Sequence, residues 1–256
     1  AKMTTARGTS KIGCNRREQL PGGKITLGHN PKGPIDRELI AVSLTTPKRK
    51  TVARIANFAC HGVVMGARNY QISSDWPGHA AAEIEKARKA PFLFLNGGCA
   101  NVDPLVRVQD KFEPVTKLAK QFVRDHDRSS KSLKSAGTDD AIAGAEKVIH
   151  LPRKLRDIED GEGKMREIRI KGLRIGPLRV VGFPGEVFSQ TTMAVKEDSP
   201  HALSMVSSYT AGGHGGYVPV AEAYDTGGYE VRVSPYAEGA ESILRQGFLN
   251  LLNDLS

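Results

Sequence analysis

Four short glycine-rich turns carry nearly all the residues of this chain that could do chemistry. The first is His61-Gly62, and the second runs Asn96-Gly97-Gly98-Cys99-Ala100-Asn101-Val102-Asp103-Pro104. The third is Phe183-Pro184-Gly185-Glu186, and the fourth is Ala211-Gly212-Gly213-His214-Gly215-Gly216-Tyr217. Glycine admits positive φ and lets the backbone come close to a bound group. An imidazole, a carboxylate and a second imidazole are donors that zinc accepts, and a catalytic zinc commonly takes three protein ligands and a water. The residues alone therefore point to metallohydrolase chemistry.

Each of these residues also has an ordinary structural explanation. His61 after a buried strand suits a hydrogen-bonded core histidine. Glu186 suits the N-terminus of the helix expected over 187–195, where negative charge is welcome. Asp103 before Pro104 suits a turn, and Tyr217 is balanced between packing and function. His214 sits among glycines that cannot form a packed element, which favours a functional role. His29, His79, His126, His150 and His201 read as surface residues. Cys60 and Cys99 read as small buried thiols.

Strands must deliver these turns. Apolar, β-rich runs are expected over 52–60, 92–95, 178–181 and 203–208, and each leads into one of the four turns. Two further strands are expected over 39–44 and 166–173, the latter because Ile168 and Ile170 alternate with charges. A helix is expected to open at Asp75 as N-cap, with Pro77 in its first turn, and to run to Lys89. Val115, Leu118 and Phe122 make the apolar stripe of a second helix, and Ala240, Ile243, Leu244, Phe248 and Leu251 that of a C-terminal one. The stretch 125–145, rich in Lys, Ser, Asp and Gly, reads as a loop. The fold class is α/β (or α+β): a mixed sheet flanked by helices, with the site on glycine-rich loops at the strand ends. In open sheets, ligands bind beyond the carboxyl ends of the strands.

Composition narrows the alternatives. The chain has 256 residues, 39% hydrophobic and 25% charged, enough for a full core in one domain spanning 1–256. No run approaches the roughly 20 apolar residues of a membrane helix, so no membrane span is expected. The net charge is +9, but its basic residues are scattered among acidic ones and form no recognisable nucleic-acid module, so no nucleic-acid partner is expected. Three cysteines without a CxxC spacing exclude a fully paired disulfide framework and a zinc knuckle.

Taken together, the blocks resemble the neutral (alkaline, non-lysosomal) ceramidases. Asn57-Phe58-Ala59-Cys60-His61-Gly62, followed by Asn69 and Ile72-Ser73-Ser74-Asp75-Trp76-Pro77-Gly78, is similar to that family's strand-end zinc histidine and its Ile-Ser-x-Asp-x-x-Gly element. The 96–104 turn resembles the family's Gly-Asp-Val-Ser-Pro loop, with Asp103 where the loop serine stands. Pro184-Gly185-Glu186 resembles the Gly-Glu that supplies a carboxylate ligand. Tyr217-Val218-Pro219-Val220-Ala221-Glu222-Ala223-Tyr224, with Tyr229-Glu230 beyond, resembles the Tyr-x-Thr-x-x-Glu-x-Tyr…Tyr-Glu signature whose first tyrosine reaches the zinc. The blocks keep the family's order from about Asn15 to the C-terminus.

The resemblance implies a zinc-dependent hydrolase that cleaves a linear N-acyl amide with a metal-activated water. His61, Glu186 and Tyr217 would be the zinc ligands, Tyr217 would also stabilise the oxyanion, and His214 is the candidate proton donor. The family's further zinc histidine, in a His-x-His element upstream of the pair that Asn15-Arg16 matches, has no counterpart here. The expectation is that the chain is most of a ceramidase-like catalytic domain, completed by an upstream segment or a companion chain carrying that element, or that His214 takes its place. The alternative is a non-catalytic subunit of a ceramidase-like heteromer.

Overall fold

The computed structural model describes residues 1–155, 164–212 and 215–256. Their contacts divide into two compact units that the chain visits alternately. The first comprises Ala1–Cys14, Arg37–Asn96 and Val102–Asp140; the second comprises Asn15–Asp36, Gly97–Asn101 and Ala141–Ser256.

The first unit is a mixed sheet in the order Phe92–Asn96, Thr51–Phe58, Glu38–Thr45, Lys2–Thr9 and Lys134–Ser135. Only the pair Thr51–Phe58 and Phe92–Asn96 is parallel. A parallel pair needs a crossover, and the helix Asp75–Arg88 supplies it. Trp76, in that helix's first turn, is fully buried. Its ring meets Phe94 at 5.2 Å, Phe122 at 5.1 Å and Phe58 at 6.5 Å, in edge-on and tilted arrangements that aromatic quadrupoles favour. Phe122 comes from the second helix, Phe112–Ser130, whose stripe Val115, Leu118 and Phe122 is buried as its spacing predicts.

The second unit has a sheet in the order Ser204–Ser207, Leu178–Gly182, Met165–Ile175 and Ile142–Pro152. Leu178–Gly182 and Ser204–Ser207 are parallel, joined through the helix Ser189–Asp198. Met165–Ile175 pairs antiparallel with Ile142–Pro152 along its whole length. Ile168 and Ile170 turn inward, as their alternation predicts, and Leu244, Phe248, Leu251 and Leu252 of the helix Ala240–Asp254 pack into the same core. Residues of the strand Gly13–Gln19 form a hairpin with Ile25–Asn30, Gln19 opposite Ile25 and Asn15 opposite Asn30. Among the described residues no helix is long and apolar enough to cross a membrane.

The expected strands and helices form, and the chain is a mixed α/β fold of several sheets flanked by helices. Three local expectations differ. Asp75 does not cap the helix from outside: it is the first helical residue, at φ 52, and its carboxylate accepts hydrogen bonds from the backbone of Val64, Met65 and Trp76. The 125–145 stretch is only partly loop. The second helix continues to Ser130 because its polar residues find buried partners, Asp125 accepting from Ser10 Oγ at 2.8 Å and Ser129 Oγ donating to the Asp125 carbonyl. A strand begins again at Ile142.

His126 is the third difference, since it is buried rather than on the surface. Its ring stands edge-on to Phe92 at 5.5 Å, and neither nitrogen has a hydrogen-bond partner among the described residues. Burial lowers its pKa from 6.5 to about 4; Asp127, 3.6 Å away, opposes the shift, and Arg54 and Arg88 add to it. A depressed folded pKa means that below pH 6.5 the unfolded chain takes a proton that the folded one refuses. Stability is then lost as pH falls from about 6.5 towards 4, by a total on the order of 3 kcal/mol. His126→Leu should flatten the pH dependence of the unfolding midpoint across that window. Equal slopes for the variant and the parent chain would show that His126 does not set it.

Candidate functional site

In the first unit, His61 stands three residues beyond Phe58, which closes the strand Thr51–Phe58, and it is buried. Its backbone N–H donates to the Val102 carbonyl at 3.0 Å, and its ring Nδ1 lies 2.9 Å from the same oxygen. A carbonyl only accepts, so Nδ1 carries the proton and a neutral ring has its lone pair on Nε2. That is the arrangement in which outer partners orient a metal-binding histidine. Asp103 lies 3.8 Å from Nδ1 and is held in turn by Arg107 at 3.5 Å. Asp103 is therefore a buried residue of the short strand Val102–Pro104 that faces His61, beyond the turn role expected of it. Trp76 Nε1 donates to the His61 carbonyl at 2.8 Å, so the core aromatic also pins the histidine's backbone. Asp75, through Val64 and Met65, ties down the chain immediately after it.

The second unit brings Glu186 and Tyr217 together. They are register partners in a two-residue parallel bridge, Glu186–Val187 with Tyr217–Val218. The bridge forms because two glycine turns interlock. A Cβ at Gly185 would sit 2.4 Å from the Gly216 carbonyl oxygen, and one at Gly215 would sit 2.7 Å from the Gly185 nitrogen. Hydrogen bonds of 2.9 Å from Gly215 N to Pro184 O and from Glu186 N to Gly216 O close the pair. His214 falls outside the described residues.

Arginine side chains organise the rest of this cluster. The Arg16 guanidinium lies 5.6 Å from the ring centres of both Tyr217 and Tyr229, and the two rings stand edge-on at 5.8 Å. Arg16 is fixed by Glu230, which is fully buried: Arg16 Nε donates to one carboxylate oxygen and Arg17 Nη1 to the other, each at 2.7 Å. Burial raises the Tyr217 phenol above its ordinary pKa, the Glu186 charge raises it further, and Arg16 opposes both. The phenol is thus a neutral O–H donor near pH 7. Tyr229 also lines a groove of about 680 Å³ with Lys24, Ile25, Leu27, Val231 and Arg232.

The 97–101 turn belongs to the same unit and is clamped beside Glu186. Gly98 N donates to Thr192 Oγ1, Ala100 N to the Val187 carbonyl and Ser189 N to Asn101 Oδ1, all at 2.9–3.0 Å. Cys99 between them is buried, its Sγ 3.4 Å from the Tyr209 hydroxyl and within 4.8 Å of a Glu186 carboxylate oxygen. The expected buried thiol is therefore present, but beside a carboxylate and a phenol rather than in an apolar pocket. Nothing in the sequence marks Tyr209. Arg16 and Glu230 lie in the Asn15-Arg16 and Tyr229-Glu230 pairs of the resemblance, but their ion pair joins segments far apart in the chain and only the folded structure shows it.

Within the second unit the Glu186 carboxylate, the Tyr217 phenol and the Cys99 thiol are oxygen and sulfur donors of the sort zinc takes. In the first unit the oriented His61 imidazole is by itself a nitrogen donor of that sort.

No family model and no curated protein sequence matches the chain. Solved structures share its fold, two of them as follows. One, described as a ceramidase complexed with C2, aligns with a TM-score of 0.76 at 14% identity, over 99% of this chain and 53% of its own. The other, neutral ceramidase from Pseudomonas aeruginosa, aligns with a TM-score of 0.74 at 14% identity, over 99% of this chain and 52% of its own. The chain thus has a neutral-ceramidase-like fold and spans about half the length of these structures.

The Glu230 carboxylate is the ion-pair partner of both Arg16 and Arg17, so its removal takes a buried counter-charge away from the two guanidinium groups. Glu230→Ala should lower the free energy of unfolding by about 3–5 kcal/mol, measured by urea denaturation. A loss below about 1 kcal/mol would mean that solvent reaches the arginines and that the triad does not hold Arg16 in place.

Proposed function

We propose that the chain is a zinc-dependent hydrolase of linear N-acyl amides, with His61, Glu186 and Tyr217 as metal ligands. The observation that carries this reading is the pairing of Glu186 with Tyr217, on interlocked glycine turns, in a ceramidase-like fold. The orientation of the His61 ring by the Val102 carbonyl supports it independently. When bound, zinc polarises the amide carbonyl and makes a nucleophilic water available near neutral pH.

The chain's own residues do the remaining work. The Tyr217 hydroxyl donates a hydrogen bond to the oxygen on which negative charge develops. Arg16, beside that ring and fixed by Glu230, adds positive potential to the same place. The departing amine needs a proton, and His214 is assigned as its source. The groove beside Tyr229 suits an acyl chain along Ile25, Leu27 and Val231, with Lys24 and Arg232 at its polar edge. A companion chain carrying a His-x-His element is the proposed partner, adding a histidine that the resemblance places upstream of Asn15-Arg16.

His61→Ala and Glu186→Ala should each abolish amide hydrolysis and lower bound zinc, read by metal analysis of the purified protein. Tyr217→Phe should keep the fold and cost about 10²-fold or more in kcat, as for loss of one oxyanion donor. Full metal content and full rate in the first two variants would remove the site, and an unchanged kcat in the third would reassign Tyr217 to packing.

A further inference from the structure

Cys99 stands in the Gly97–Asn101 turn, where no ligand was expected. Its two neighbours are both anchored to the segment that follows Glu186, Gly98 through Thr192 and Ala100 through the Val187 carbonyl. Gly98 admits no side chain, since a Cβ there would lie 2.1 Å from Thr192 Oγ1 and 2.9 Å from the Phe188 carbonyl oxygen. The turn is thus pressed against the start of the helix Ser189–Asp198. The Cys99 sulfur lies within 4.8 Å of a Glu186 carboxylate oxygen, so a small side-chain movement would let one zinc, which sits about 2.3 Å from sulfur and about 2.0–2.2 Å from oxygen, contact both. The second observation is Tyr209. This non-glycine residue is held at φ 59, a costly conformation, and its hydroxyl reaches the Cys99 sulfur at 3.4 Å. Either atom can donate while the sulfur is a thiol; once it has lost its proton the phenol is the donor, as the outer-shell partner of a metal thiolate is.

We propose that Cys99 is a sulfur ligand of the metal that Glu186 binds, with Tyr209 as the hydrogen-bond donor that orients it. The inference rests on the reading that Glu186 holds a metal, and it adds a donor which that reading does not contain. On binding, the S–H bond breaks, the proton passes to solvent, and the sulfur lone pair forms the bond to the metal. Two consequences follow. The chain can hold its metal before any companion docks, and the site selects a thiophilic ion such as zinc over magnesium or calcium.

The test uses the full chain loaded with cobalt(II) in place of zinc, because a cobalt–thiolate bond gives a near-ultraviolet charge-transfer absorption. The parent chain and Cys14→Ser should both show the band at stoichiometric cobalt. Cys99→Ser should lose the band while remaining folded by circular dichroism, and its zinc affinity should fall by more than the 10–100-fold of an outer-shell change. Tyr209→Phe should keep the band but move it. A parent chain that binds cobalt without the band, or a Cys99→Ser variant that keeps it, overturns the assignment. If Glu186→Ala loses metal while Cys99→Ser retains it at parental affinity, Cys99 fails and the reading of Glu186 stands. A parent chain that binds neither cobalt nor zinc sinks both.

Discussion

The close approach of two glycine turns is the constraint on which the second unit depends. Gly185 and Gly215 leave no room for a Cβ on either side, and only because of that can Glu186 and Tyr217 become register partners. The bridge is two residues long, too short to be stable as a sheet by itself. It persists because its flanks are built into larger elements: the strand Leu178–Gly182 and helix Ser189–Asp198 on one side, and the Tyr217 carbonyl bonded to Ser234 on the other. A methyl group at either glycine would separate the carboxylate and the phenol that the proposed chemistry needs side by side.

Buried polar groups fix the remaining side chains, and they do so at a cost that partners offset. Glu230 without its arginines, or Arg16 without Glu230, would be a desolvated charge. Together they place a guanidinium beside the Tyr217 ring, which links a stability element to an electrostatic one. In the first unit the same logic is carried by backbone carbonyls. His61 meets Val102 twice and Trp76 once, so strand, helix and aromatic core all converge on one imidazole. Asp103 standing where the resembling family has serine changes what is available there: a carboxylate near an imidazole orients it and supplies no hydroxyl nucleophile.

Much of this was legible in the sequence, and the reasons differ by element. The strands around Ile55, Leu178, Val206 and Ile168 announce themselves by apolar runs or strict alternation. Lys2–Thr9 and Gly13–Gln19 do not, because threonine, arginine and glutamate fill positions whose burial is decided by neighbouring strands. Asp75 was legible as the residue that opens a helix but not in its geometry, since its left-handed φ and its bonds to Val64 and Met65 are tertiary facts. His126 and Cys99 share a different difficulty. Each lies in a stretch whose local composition suits an ordinary environment, and only the packing of distant segments reveals a buried imidazole or a thiol beside a carboxylate. Glu186 and Tyr217 stand out in the sequence as candidates because they follow glycine turns after strong strands, while their pairing across a two-residue bridge is a tertiary fact.

The central claim is that the chain hydrolyses amides by means of a metal held on these turns. The most direct measurement is the release of free amine from an N-acyl amide by the purified protein, together with its proposed companion, before and after chelation. The account predicts that a chelator abolishes release and that added zinc restores it, saturating at about one ion per chain. Release at an undiminished rate from protein shown to be metal-free would contradict it.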